Sequence, residues 1–99
     1  SFIISSISKF PVGASQQFVA ANGAPAFLFR TKTGVFAYSA ICTHQGCTVE
    51  YLKAGKKLVC PCHRASFDPF NGGKVISGEA KGPLAKINVS IKSGWVVQS

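Results

Sequence analysis

All four cysteines and both histidines of the chain fall in two short segments, Cys42-Thr-His44-Gln-Gly-Cys47 and Cys60-Pro-Cys62-His63. Thiolate and imidazole are the donors that hold zinc and iron, and cysteine pairs also close disulfides. The six side chains therefore fit an iron-sulfur centre, a structural zinc site, or a disulfide-stapled binding module. Six donors are too many for one tetrahedral ion, and only one residue separates Cys42 from His44, whereas common zinc knuckles place about two to four between ligands. A [2Fe-2S] cluster with cysteines on one iron and histidines on the other takes four donors and leaves two cysteines to pair with each other.

Both segments must be carried by something rigid, and the flanking sequence reads as strands. Apolar and β-branched runs near Phe2 to Ile7, Gln17 to Ala20, Ala26 to Arg30 and Gly34 to Ser39 are separated by turn signals, Ala-Asn-Gly-Ala-Pro at 21 to 25 and Thr-Lys-Thr-Gly at 31 to 34. Between the two segments lie a predicted strand at 48 to 52, a basic turn at 53 to 57 and a short strand at 58 to 59. Residues 65 to 77 carry Pro, Asn-Gly and Gly-Gly turn signals, with Asp68 before Pro69 read as a turn starter rather than a catalytic acid. The chain closes with a hairpin of strands 85 to 91 and 95 to 98 around Lys92-Ser93-Gly94, with Trp95 and the eight phenylalanines read as core fillers. No helical period and no repeat emerges. The expectation is an all-β protein: one domain over residues 1 to 99, in which the region from about Ile41 to Gly82 is an inserted subdomain bearing both donor loops.

Composition narrows the function classes. With 46% hydrophobic and only 14% charged residues the chain is too apolar for disorder. Eleven Lys and Arg against three acidic residues give a formal charge of +8, which steers the protein toward an acidic partner or an anionic surface. Nucleic acid is disfavoured, because the lysines are scattered over turns with no basic run longer than two and no aromatic interleaving. No stretch reaches the roughly 20 apolar residues of a membrane span. The chain begins at Ser1 and lacks methionine, so a removed leader or membrane tether is expected.

The two segments resemble the loops of the Rieske family, C-x-H-x-G-C and C-x-C-H. That resemblance implies an antiparallel β-sandwich or barrel scaffold with two inserted loops and one [2Fe-2S] cluster. It assigns Cys42 and Cys60 to the inner iron, His44 and His63 to the outer iron, and Cys47 and Cys62 to a disulfide between the loops. The disulfide places the chain in the branch of quinol-oxidising complexes and certain bacterial relatives, away from ring-hydroxylating ferredoxins. An iron held by neutral imidazoles is the easier one to reduce, and the potential of such clusters spans roughly −150 to +300 mV, against about −400 mV for plant-type clusters.

Around the ligands the chain departs from the family pattern. The second loop usually continues C-P-C-H-G-S-x-Y-D, whereas here it reads Cys-Pro-Cys-His-Arg-Ala-Ser-Phe-Asp, 60 to 68. Ala65 and Phe67 therefore stand where serine and tyrosine hydroxyls donate toward the cluster. Losing two donors worth about 1 to 3 kcal/mol each lowers the potential by roughly 100 to 250 mV, and Ser66, on the opposite face of a strand, is a poor substitute. Gln45, beside the loop's Gly46, replaces a leucine that docks the cluster tip at a quinol site. The covering G-P-A-P loop corresponds to Gly78-Glu79-Ala80-Lys81, followed by Gly82-Pro83. Arg64 adds a positive charge beside His63.

The reading is one-electron transfer without substrate chemistry of its own, to a cytochrome or other haem, copper or flavin protein with an acidic docking surface. A Rieske subunit of a larger quinol- or arsenite-oxidising complex, and a redox-silent zinc or disulfide module, are the alternatives. A disulfide implies an oxidising setting, exported, periplasmic or on the cell surface, and the expectation includes a membrane anchor in the full-length protein.

Overall fold

The computed structural model describes residues 2–43, 47–62, 64–78, 80 and 82–99, and among these lie eleven short β-strands and a single 3-10 turn. The all-β expectation holds. The strands are β1 (Phe2–Ser6), β2 (Ser15–Val19), β3 (Pro25–Thr31), β4 (Gly34–Ser39), β5 (Glu50–Leu52), β6 (Lys57–Val59), β7 (Ser66–Asp68), β8 (Lys74–Ser77), β9 (Lys86–Ile87), β10 (Val89–Lys92) and β11 (Trp95–Gln98), with the 3-10 turn at Ile7–Lys9. They form three sheets, ordered β1-β11-β10, β2-β3-β4-β9 and β5-β6-β7-β8. By contact the chain divides into two compact units, one comprising residues up to Ala37 with Ile87–Ser99 and the other Tyr38–Lys86, so the division falls within β4 and β9.

The first unit is built from tight hairpins around an apolar core. At the β10–β11 turn Ser93 and Gly94 both have positive φ (49° and 82°), the conformation a two-residue turn needs to match strand twist. The β2–β3 connection closes through Gly23, whose N–H donates to Ala20 O, and through Asn22, whose Oδ1 accepts from the Ala24 N–H. Phe10, Leu28, Ala37 and Val96 form the buried cluster, with Ile4, Phe18, Val35 and Val89 packed against it. Arg30 satisfies the carbonyls of the 3-10 segment, donating to Ile7 O and Phe10 O at 3.3 and 2.8 Å.

Two sequence expectations change here. Trp95 is 46% exposed rather than buried, and Phe2 and Phe70 are also exposed. Val96 and Val97 are both buried, whereas Trp95 stands at the strand's start, opposite Lys92 and beside the turn. The single strand expected over 85 to 91 is broken at Asn88: β9 joins the sheet of β2 to β4, whereas β10 pairs with β11.

The second unit holds the four-stranded meander β5-β6-β7-β8, whose strands are only three or four residues long. Antiparallel register lines Tyr51, Leu58, Phe67 and Val75 in one row across it, and Leu58 and Phe67 are fully buried. Tyr38 donates its hydroxyl to Pro69 O at 2.9 Å, and Gly73 packs so closely on its ring that a Cβ there would lie 2.9 Å from Cε1. Burial pushes the Tyr38 phenol above its ordinary pKa, with the Asp68 carboxylate adding in the same direction. Asp68 is the turn residue expected, its Oδ1 accepting from the Phe70 N–H at 3.0 Å.

Candidate metal centre

Both cysteine-bearing segments are loops closed at their bases by backbone hydrogen bonds. The first leaves β4 and returns to β5. An Ile41–Thr48 bridge, the Cys42 N–H to Cys47 O bond (2.7 Å) and the Val49 N–H to Ala40 O bond (2.7 Å) pinch it shut. The second is the β6–β7 connection, where the Cys60 N–H donates to Ala65 O at 2.7 Å. Arg64 takes a positive φ of 56° as this loop re-enters the sheet, and its side chain is exposed.

The cysteines divide into two kinds. Cys47 and Cys62 form a disulfide joining the loops. Cys42 and Cys60 are outside any disulfide, and both are buried, 3% and 0% exposed. The sulfurs of Cys47, Cys60 and Cys62 lie within 4.8 Å of one another. This trio is not a thiolate site, since two of its members are spent on the disulfide. His44, Gln45, Gly46 and His63, and the canopy residues Glu79 and Lys81, lie outside the described residues.

Contacts that pattern reading did not foresee hold the loops in place. The Thr43 hydroxyl donates to Gly82 O at 2.8 Å, tying the first loop to the segment expected as its canopy. Ala65 is fully buried, and Gly78, at φ +91°, presses against it: a Cβ on Gly78 would begin 2.5 Å from the Ala65 Cα. The Ser66 hydroxyl, the weak substitute donor of the sequence reading, shares a 2.7 Å hydrogen bond with the Ser77 hydroxyl. Phe67 is fully buried and brings no hydroxyl. A threonine between two donor residues was visible in the sequence; that its partner would be Gly82 was not.

The donor set fits a [2Fe-2S] group. Two buried thiols enter from separate loops whose remaining cysteines are cross-linked, which suits the cysteine half of a mixed Cys/His ligand set. Such a fold and site define a domain for electron transfer through an iron-sulfur cluster. The sequence pattern of the Rieske [2Fe-2S] domain matches residues 2–88, and the chain belongs to that family. It is 34% identical over 96 residues to the cytochrome b6-f complex iron-sulfur subunit of Synechococcus sp. (strain CC9605), covering 94% of this chain and 53% of that subunit. Against the corresponding subunit of Chlorobaculum tepidum the identity is 44% over 63 residues, 64% of this chain and 34% of the subunit. The chain thus spans about half or less of the length of these relatives. In fold it is similar to the plasma membrane Rieske protein PetC3 from Synechocystis PCC 6803 (TM-score 0.83, 24% identity, covering 100% of this chain and 99% of that one). It is similar also to the soluble domain of Rieske protein II from Sulfolobus acidocaldarius (TM-score 0.82, 20% identity, covering 98% and 75%). Among the described residues no helix is long and apolar enough to cross a membrane.

Proposed function

We propose that the chain is a one-electron carrier whose cluster is held by Cys42 and Cys60 on one iron and His44 and His63 on the other. The observation that carries this ligand set is the separation of the cysteines into a cross-linked pair and two buried thiols, one at the start of each loop. When bound, the cluster supplies one-electron redox chemistry. The protein's part is to exclude water from the thiols, to hold the loops at fixed spacing through the disulfide, and to set the field around them. Residues 1 to 99 act as one domain, with about 41 to 82 as its cluster-bearing part. The charge of +8 suits a redox partner with an acidic docking face, a haem, copper or flavin protein. The disulfide favours an oxidising location on the outer side of a membrane.

Visible and EPR spectra through a stepwise reduction, ascorbate first and dithionite second, test this reading. A reddish-brown oxidised form that gives a rhombic signal of average g below the free-electron value is the expected result; a colourless protein with zinc or no metal would sink it. With Ala65 and Phe67 contributing no hydroxyl, and with the Ser66 hydroxyl engaged by Ser77, ascorbate alone is expected to leave much of the cluster oxidised.

A second reading, a subunit of a larger membrane redox complex, is favoured by the likeness to cytochrome b6-f iron-sulfur subunits. Co-purification of the native protein with a haem-bearing or molybdenum-bearing subunit would support it.

A further inference from the structure

The Cys60 sulfur lies within 4.8 Å of both sulfurs of the Cys47–Cys62 disulfide, while Cys42, the other thiol outside the disulfide, does not belong to this group. A thiolate beside a disulfide is the starting arrangement for exchange, in which the attacking sulfur displaces one partner and bonds to the other. Cys62 is exposed and Cys47 half-buried, so Cys62 is the sulfur that can leave toward solvent. The backbone bond from Cys60 N–H to Ala65 O holds the attacking residue at the base of its loop, with Cys62 two residues away.

We infer that the three sulfurs form an internal exchange site that locks the metal-free protein. The Cys60 thiolate attacks Cys47 Sγ. One S–S bond forms between Cys47 and Cys60, the Cys47–Cys62 bond breaks, and the proton that left Cys60 is taken up by the Cys62 thiolate. No electrons enter or leave, so neither oxidant nor reductant is required. The product has spent one buried ligand thiol and carries a reactive thiol at an exposed position. Iron at Cys60 blocks the reaction by occupying the attacking sulfur, so cluster loading and disulfide register guard each other. This protective half rests on the ligand role proposed above for Cys60, whereas the exchange itself rests only on the geometry of the three sulfurs.

The test follows a thiol label with time in the iron-loaded protein and in the same protein stripped of iron. Samples are quenched in acid, alkylated with N-ethylmaleimide in denaturant and digested with trypsin without reduction. Cleavage after Lys32, Lys53, Lys57 and Arg64 places Cys42 and Cys47 on one peptide and Cys60 and Cys62 on another. In the stripped protein the two peptides are expected to remain linked while the label on the second moves from Cys60 to Cys62, Cys42 staying labelled throughout. The iron-loaded protein is expected to keep its label on Cys60. The Cys60→Ser variant is expected to retain the Cys47–Cys62 bond and to show no label on Cys62. A label that stays on Cys60 in the stripped protein overturns the inference. So does loss of label from Cys42, which would mean general scrambling through unfolded chains, or labelling of Cys62 in the Cys60→Ser variant. Equal migration in stripped and iron-loaded protein overturns the protective role and with it the ligand assignment of Cys60. Iron and sulfide analysis of the loaded sample reports separately on whether the cluster reading itself fails.

Discussion

The two units of this chain solve the problem of holding a shape by different means. In the first, strands of four to seven residues pack an apolar cluster, so its order comes from buried carbon: Phe10, Leu28, Ala37 and Val96. The second carries its cysteine loops on a meander of strands three or four residues long. Backbone closures at Cys42 and Cys60, the Thr43–Gly82 bond, the close approach of Gly78 to Ala65 and one disulfide supply the order there. A donor loop cannot bury a large apolar side chain where a metal group must sit, so specific polar and covalent ties replace packing.

Breaking one kind of tie should leave the other kind measurable, and the largest contrast is expected at a thiol proposed as a ligand. Cys42→Ser is expected to abolish iron binding and the visible spectrum while the far-ultraviolet β signal remains, because the first unit's core does not contain Cys42. A Cys42→Ser protein that keeps the full spectrum would remove Cys42 from the ligand set.

Leu28→Ala should do the reverse. Truncating this fully buried core side chain costs about 2 to 5 kcal/mol, read as a lower midpoint in denaturant unfolding. The reduction potential of the molecules that remain folded should be unchanged; a shifted potential would show that the core and the donor loops are energetically coupled.

A smaller effect is expected from Gly78→Ala. The left-handed backbone costs at least roughly 1 to 2 kcal/mol for any residue with a Cβ, and the 2.5 Å approach of the new atom to the Ala65 Cα adds to this. Since Ala65 O accepts the bond that closes the second loop, iron retention should fall more than the unfolding midpoint does. Equal losses would mean that Gly78 serves general stability alone.

The mildest change is Tyr38→Phe. Loss of the bond to Pro69 O costs about 1 kcal/mol at neutral pH. Because the folded phenol's pKa is raised above the unfolded value, its contribution is fully present below pH of about 10. It is lost as the pH rises through the folded value, since the unfolded chain ionises first. Chemical unfolding measured at neutral and strongly alkaline pH should therefore show a shallower alkaline decline in the variant. Tyr51, also raised by burial, leaves a residual slope of the same sign. An identical decline in both proteins would assign the alkaline loss to other groups.

Some of this was readable from local chemistry. Lys92-Ser93-Gly94 announces its hairpin because Gly94 takes a positive φ at no steric cost. The Cys47–Cys62 bond followed from the resemblance of the two loops and is present. Trp95 was misplaced, because a large aromatic in a strand reads as core whether it lies mid-strand or, as here, at the first position beside a turn. The strand over 85 to 91 looked continuous because alternation is blind to a change of sheet at Asn88.

Residue types and short spacings determined the all-β class and the two cysteine-histidine loops, because turn preference, strand alternation and ligand chemistry act over a few neighbouring residues, while the pairing of Cys47 with Cys62 came from the family resemblance of those loops. Tertiary structure alone decided that Gly78 seats on Ala65, that Thr43 reaches Gly82, and that Cys60 lies beside the disulfide. Thr43 and Gly82, Ala65 and Gly78, and Cys47 and Cys60 are far apart along the chain, and their distances are set by how the loops close and how the sheet pairs.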